Sequence, residues 1–125
     1  MLWMYVAVGG AIGSIARHEV GKAIARVSPT EVTPYATGLV NLVGCFVIGF
    51  LAGLIASHRM TMSPGLRAFV FVGILGGFTT FSSFGLDTFS LAHGGRPGAA
   101  VVNVLVQVIA GCLLVAAGYF AAARP

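Results

Sequence analysis

The stretch GILGGFTTFSSFGLDTF, residues 73–89, decides how this chain is read. It sets glycines, hydroxyls and phenylalanines inside an apolar run otherwise long enough to cross a bilayer. Taken as residues 66–91, that run has its midpoint close to Phe78, so Gly76, Gly77, Thr79 and Thr80 lie near the bilayer centre. Glycine is permissive and threonine is a poor helix former whose hydroxyl competes for backbone groups, so together they predict a local break. Carbonyls freed at that depth are tolerated only when buried in protein, facing water or coordinating an ion. The alternative is packing alone: Gly73 with Gly77, like Gly49 with Gly53, forms a GxxxG pair of the kind that lets two helices approach.

Outward from this stretch the composition fixes the class. The chain of 125 residues is 58% hydrophobic and only 8% charged, with a mean hydropathy of +0.98, which marks an integral membrane protein. Four apolar runs, residues 2–25, 35–57, 66–91 and 99–123, each approach the ~20 residues that a membrane helix needs and exceed the ~9–11 of a membrane strand. They predict an all-α, four-helix membrane domain over residues 1–125, with connections at RVSPTEVTP, SHRMTMSPG and HGGRPG. Arg17, Glu19 and Lys22 interrupt the first run and must reach the interface or an aqueous cavity. No basic segment precedes that run, so it is expected to stay as a helix rather than be removed as a signal peptide. Cys45 and Cys112 fall within helices and read as small packing residues.

The formal charge of +4 is scattered, without a basic run, so no nucleic-acid partner is expected. Arg17, Lys22, Arg26 and Arg96 fall on one side of the membrane and Arg59, Arg67 and Arg124 on the other, a balance that gives little reason to prefer either orientation. A chain inserted both ways could pair antiparallel. Four short helices without an internal repeat enclose little space alone, which also favours an oligomer.

Depth counting then brings several polar residues to one level. At ~1.5 Å per residue, Phe81 and Phe84 lie roughly 4–8 Å past the midpoint of the third helix. Asn41, near the start of the second helix, and Asn103 and Gln107, near the start of the fourth, fall in the same half of the membrane. Asn103 and Gln107 share a helix face. Singly, such amides are most often interhelical glue; beside Ser82 and Ser83 they form a track rich in N–H and O–H donors without Lys or Arg, suited to a small anion. Phe81 and Phe84 are by default lipid-facing or core residues. Their other reading is electrostatic, since an aromatic edge is the positive part of the ring quadrupole.

The motifs GGAIGSIAR (residues 9–17), TGLVNLVGCFVIG (37–49) and GGFTTFSSF (76–84) resemble those of the small fluoride channels called Fluc or CrcB, and the resemblance covers essentially the whole chain. It implies a passive, fluoride-selective channel of the plasma membrane, not an enzyme, that lets cytoplasmic fluoride leave. Further implied are an antiparallel dual-topology homodimer in the lipid bilayer, two pores, and a central structural sodium ion held by the carbonyls of Gly76 and Thr79 from both subunits. By the same resemblance Asn41 is a pore donor, Phe81 and Phe84 are the phenyl pair, and Ser82 and Ser83 lie on the polar track with Asn103 and Gln107. Arg17 would be a vestibule attraction for anions or an interface anchor. Asp87 stands where many members have Glu and would reach the interface or pair with a basic residue. Departures from the pattern are His18 for a frequent Tyr, Ser83 for a frequent Thr, and Gln107 with Gly111 where hydroxyl residues are common.

Two rival classes remain in view from the residues alone. A small proton-coupled exporter would need an intramembrane carboxylate, for which Asp87 is the candidate. A scaffolding subunit would use the glycines and amides for packing only.

Overall fold

The computed structural model of the chain describes residues 1–28 and 32–124; Pro29, Thr30 and Glu31, within the expected RVSPTEVTP connection, and Pro125 lie outside the described residues. Every regular element among the described residues is helical. The helices are α1 (Leu2–Val27), α2 (Val32–Ala56), α3 (residues 64–78), α4 (Phe81–His93) and α5 (Pro97–Ala123). Within α3 and α5 the turns widen to π-helical spacing over Ala68–Leu75 and Val106–Ala110. Three spans, Pro34–Ala56, Pro64–His93 and Pro97–Ala123, are long and apolar enough to cross a membrane. The first helix has the length, 26 residues, but its second half carries the charges noted above.

Helix ends follow local chemistry. Ser63 caps α3, accepting a hydrogen bond from Leu66 N–H at 3.2 Å with Pro64 in the first turn, where its missing N–H costs nothing. Pro34 likewise sits in the first turn of α2, which lets that helix begin at Val32 instead of after the proline. At the other end of α2, His58 turns left-handed with φ 56°, and the N–H groups of Arg59 and Met60 return to Leu54 O at 3.0 and 3.1 Å. Arg59 Nη1 then donates to Ala122 O at 3.1 Å, placing a cation at the negative end of α5.

The bundle is two close helix pairs, α1 with α3 and α2 with α5, while α4 packs on the start of α5 and crosses α2. Glycines make both pairs possible. A Cβ on Gly49 or Gly118 would strike the backbone of Val115 or Phe46 across the α2–α5 seam, and one on Gly73 would come within 2.8 Å of Gly9 Cα across the α1–α3 seam. Dispersion contacts between backbones at this range hold membrane helices together where no hydrophobic effect operates between them. Gly73 and Gly77 are thus helical packing residues facing α1. The break itself lies just beyond them, at Thr79 (φ −89°, ψ 161°) and Thr80 (φ −155°, ψ 118°), two β-branched residues in extended conformation.

Candidate functional site

The interruption between α3 and α4 strips backbone groups of their helical partners. In a continuous helix Thr80 N–H would donate to Gly76 O; here it donates to Asn41 Oδ1 at 2.8 Å, and Thr80 O accepts from Asn41 Nδ2 at 3.1 Å. Asn41 from α2 therefore replaces a turn of helix, pairing with both backbone groups of one residue, Thr80. Gly76 O is left without its helical donor. Thr79 O would take Ser83 N–H, but that group donates to Thr80 Oγ1 at 3.2 Å, as Thr80 caps α4. Arg17 Nη1 from α1 reaches Thr79 O instead, at 3.2 Å. Arg17, expected as a vestibule attraction or an interface anchor, thus also contacts the break.

Because a backbone N–H can only donate, Thr80 sets the polarity of an entire chain of side chains. Asn41 must turn Oδ1 to it, so Nδ2 faces outward and donates its second hydrogen to Gln107 Oε1 at 2.7 Å. Gln107 Nε2 then donates to Asn103 Oδ1 at 2.9 Å, and Asn103 Nδ2 to Thr88 Oγ1 at 2.9 Å. Thr88 closes the chain by donating to Phe84 O at 2.8 Å. The three amides expected at one level are thus hydrogen-bonded in series, linking α2, α5 and α4.

Two cavities adjoin this chain. The first, about 380 Å³, is lined by Asn41, Gly76, Thr79, Thr80, Phe81, Phe84 and Gln107 together with apolar residues of α2, α3 and α5. Among the described residues no charged side chain lines it. The Phe81 and Phe84 rings stand 5.4 Å apart, tilted by 45°, with Phe81 82% exposed in the single chain. The first turn of α4, the positive end of a 13-residue helix, opens beside the same cavity. The second, about 590 Å³, is lined by Asn103, Gln107, Tyr35, Arg96 and apolar neighbours.

Ser82 and Ser83 line neither cavity. Ser82 is exposed with Oγ 3.3 Å from Thr80 Oγ1, and Ser83 Oγ accepts from Thr80 Oγ1 at 3.1 Å. Asp87, expected at an interface or beside a basic residue, is instead buried at 7% exposure, and its Oδ2 has no hydrogen-bond partner among the described residues. It lines neither cavity. Glu19 pairs with Lys22 at 3.0 Å on the exposed face of α1. Among the described residues no cluster of His, Cys, Asp or Glu could hold a metal.

Sequence reasoning missed Thr88 and the capping role of Thr80. Thr88 was findable: it lies seven residues before Gly95, and Asn103 lies seven after Arg96, so a tight turn at that point sets the two at equal depth on antiparallel helices.

A family profile described as "CrcB-like protein, Camphor Resistance (CrcB)" matches residues 4–119. Among similar curated proteins, one from Methylobacillus flagellatus is 44% identical over 93% of this chain and 90% of its own length. Another from Rhodospirillum centenum is 46% identical over 93% and 87%, and one from Opitutus terrae is 43% identical over 97% and 92%. All three carry the name fluoride-specific ion channel FluC.

Proposed function

The chain belongs to the CrcB family, and from that premise we propose that it is a passive fluoride channel that releases cytoplasmic fluoride across the membrane in which its helices lie. The observation that carries the reading is the uncharged cavity at the helix break, where an Asn41 amide, two phenylalanine rings and the N-terminal end of α4 converge. Each offers partial positive charge, and none offers a full charge that would trap the ion. Selective conduction requires that combination, since hydration must be replaced without tight binding.

The same proposal includes an antiparallel pair of chains in the lipid bilayer with two pores. Phe81, a pore residue on this reading, is 82% exposed in the single chain, and a second copy would cover that face. A sodium ion at the centre of the pair fits the carbonyls present: Gly76 O has lost its helical donor, and among the described residues Thr79 O accepts from Arg17 alone, leaving a lone pair. Bound there, it would supply positive charge that lowers the cost of an anion in low dielectric. Asn41 and Arg17 hold the break in the shape that presents those oxygens. A proton-coupled exporter is disfavoured because Asp87, its necessary carboxylate, lines neither cavity.

The test is fluoride efflux from liposomes containing the purified protein, read with a fluoride electrode and repeated with chloride. Rapid fluoride release without matching chloride release and without a proton gradient is expected. Absence of release from vesicles shown to contain folded protein would overturn the reading.

A further inference from the structure

The two cavities have one lining residue in common, Gln107. Its carboxamide lies between them, with Oε1 held by Asn41 Nδ2 at 2.7 Å on the side of the phenyl pair and Nε2 held by Asn103 Oδ1 at 2.9 Å on the other. Nε2 also sits 3.8 Å from where a Cβ on Gly38 would stand, so a glycine in α2 leaves the room this end of the amide uses. Both hydrogens of Asn41 Nδ2 are engaged, one by Thr80 O and one by Gln107 Oε1. An anion arriving between the rings therefore finds the Asn41 donor already occupied by a neutral acceptor of this same chain.

We infer that Gln107 is the gate of the conduction path: its Oε1 occupies the acceptor position on Asn41 that a permeating anion takes, and its displacement joins the two cavities. The inference rests on the fluoride-channel reading above. A small anion is a stronger acceptor than an amide oxygen, so it takes the Asn41 N–H and releases Oε1. The freed carboxamide turns about its side-chain torsions, which moves it out of the partition and lets Nε2 donate to the ion as it crosses toward Asn103. When the ion leaves, Oε1 returns to Asn41 and the partition closes. Discrimination follows from the exchange, because an ion that accepts hydrogen bonds weakly does not displace the amide, and chloride is weaker than fluoride in this respect.

Two substitutions separate the gate from a merely structural amide, because they move flux in opposite directions. Gln107→Ala removes the partition, so fluoride efflux from liposomes rises and chloride efflux, absent in the parent, becomes measurable. Gln107→Met keeps the length but has neither amide oxygen nor N–H, so the partition stays shut and fluoride efflux falls by at least about tenfold, the scale of one hydrogen bond to an ion. Parent-like fluoride flux in Gln107→Met, or a fall of fluoride flux in both folded variants, would overturn the gate. If Gln107→Ala does not yield folded protein, Gln107→Ser, also too short to reach Asn41, takes its place with the same expected rise, and a fall in its fluoride flux overturns the gate. The parent protein is measured in the same series: if it conducts no fluoride the channel reading fails, whereas a conducting parent with an indifferent Gln107 removes only this inference.

Discussion

Replacing Asn41 by Asp tests whether the helix break is held by that side chain. Asn41 makes three hydrogen bonds: it accepts from Thr80 N–H at 2.8 Å and donates to Thr80 O at 3.1 Å and Gln107 Oε1 at 2.7 Å. An ionised aspartate keeps the first and loses both donations, and it sets a carboxylate oxygen against two carbonyl oxygens at those separations. Two acceptors orphaned in a part-buried site, at ~1–2 kcal/mol each, give a loss of about 2–4 kcal/mol. Asn41→Leu is close in volume but loses all three bonds and orphans Thr80 N–H as well, so it should cost about 3–6 kcal/mol by the same count. Unfolding of the purified variants in a mild detergent, followed with added denaturant, measures these losses. Fluoride efflux should fall in both, because the cavity, the α4 cap and the carbonyl of Gly76 all depend on where Thr80 sits. The reasoning is refuted if either variant unfolds within ~0.5 kcal/mol of the parent, the range of an inconsequential surface change. A stable but non-conducting Asn41→Asp protein would make Asn41 a pore donor with no part in holding the break.

Phe81→Ile and Phe84→Ile should reduce fluoride efflux while the protein still folds, since a ring edge is lost but apolar bulk is kept; parent-like efflux in both would remove the phenyl pair from the path. Gly13→Ala should lower stability by about 1–3 kcal/mol because its Cβ would lie 2.8 Å from Phe78 N and against Ile74 O, whereas Gly10→Ala, with open space at that position, should be neutral or gain up to ~1 kcal/mol of helix propensity. Equal unfolding of the two variants would show that the α1–α3 seam does not depend on that contact. Asp87→Asn keeps the shape of a buried side chain whose Oδ2 has no hydrogen-bond partner among the described residues, so it should change stability by no more than ~1 kcal/mol and leave fluoride efflux intact and independent of a proton gradient. Loss of efflux in that variant, or parent efflux that needs a proton gradient, would restore the exporter reading.

Hydropathy and punctuation are local properties, which is why the membrane class, the apolar runs and the depth of the break could be read from residue order. The amides were also legible as a group, because counting residues from the turns places Asn41, Asn103 and Gln107 at one level. What each amide bonds was not. Asn41 pairs with the backbone of Thr80, and backbone demand appears only once the helix is known to open between Thr79 and Thr80. Gly73 and Gly77 show the same limit from the other side. Permissive backbone and absent side chain are both properties of glycine, and only the position of α1 reveals that here the second is used. Arg17 was placed by its charge, whereas its reach across to a freed carbonyl depends on helix packing that residue order does not contain. Asp87 was misplaced for a related reason, since a count of residues along a helix gives depth but not which face is covered.

The widened turns of Val106–Ala110 bear on how this gene can change length. A π-helical turn holds one residue more than the α-helical turn it replaces, so a single deletion within that segment would let α5 return to regular winding. The widened turn already absorbs that residue's ~100° of rotation, so the two halves of the helix would keep facing the same sides and only draw together by about one residue's rise, ~1.5 Å. The glycine seam of Gly118 with α2 and the facing of Asn103 toward Thr88 would both survive such a deletion. Insertions and deletions are ordinarily absorbed in loops; in this chain the fourth long apolar segment has a place inside a membrane helix where one residue can be lost without turning either half away from its neighbours.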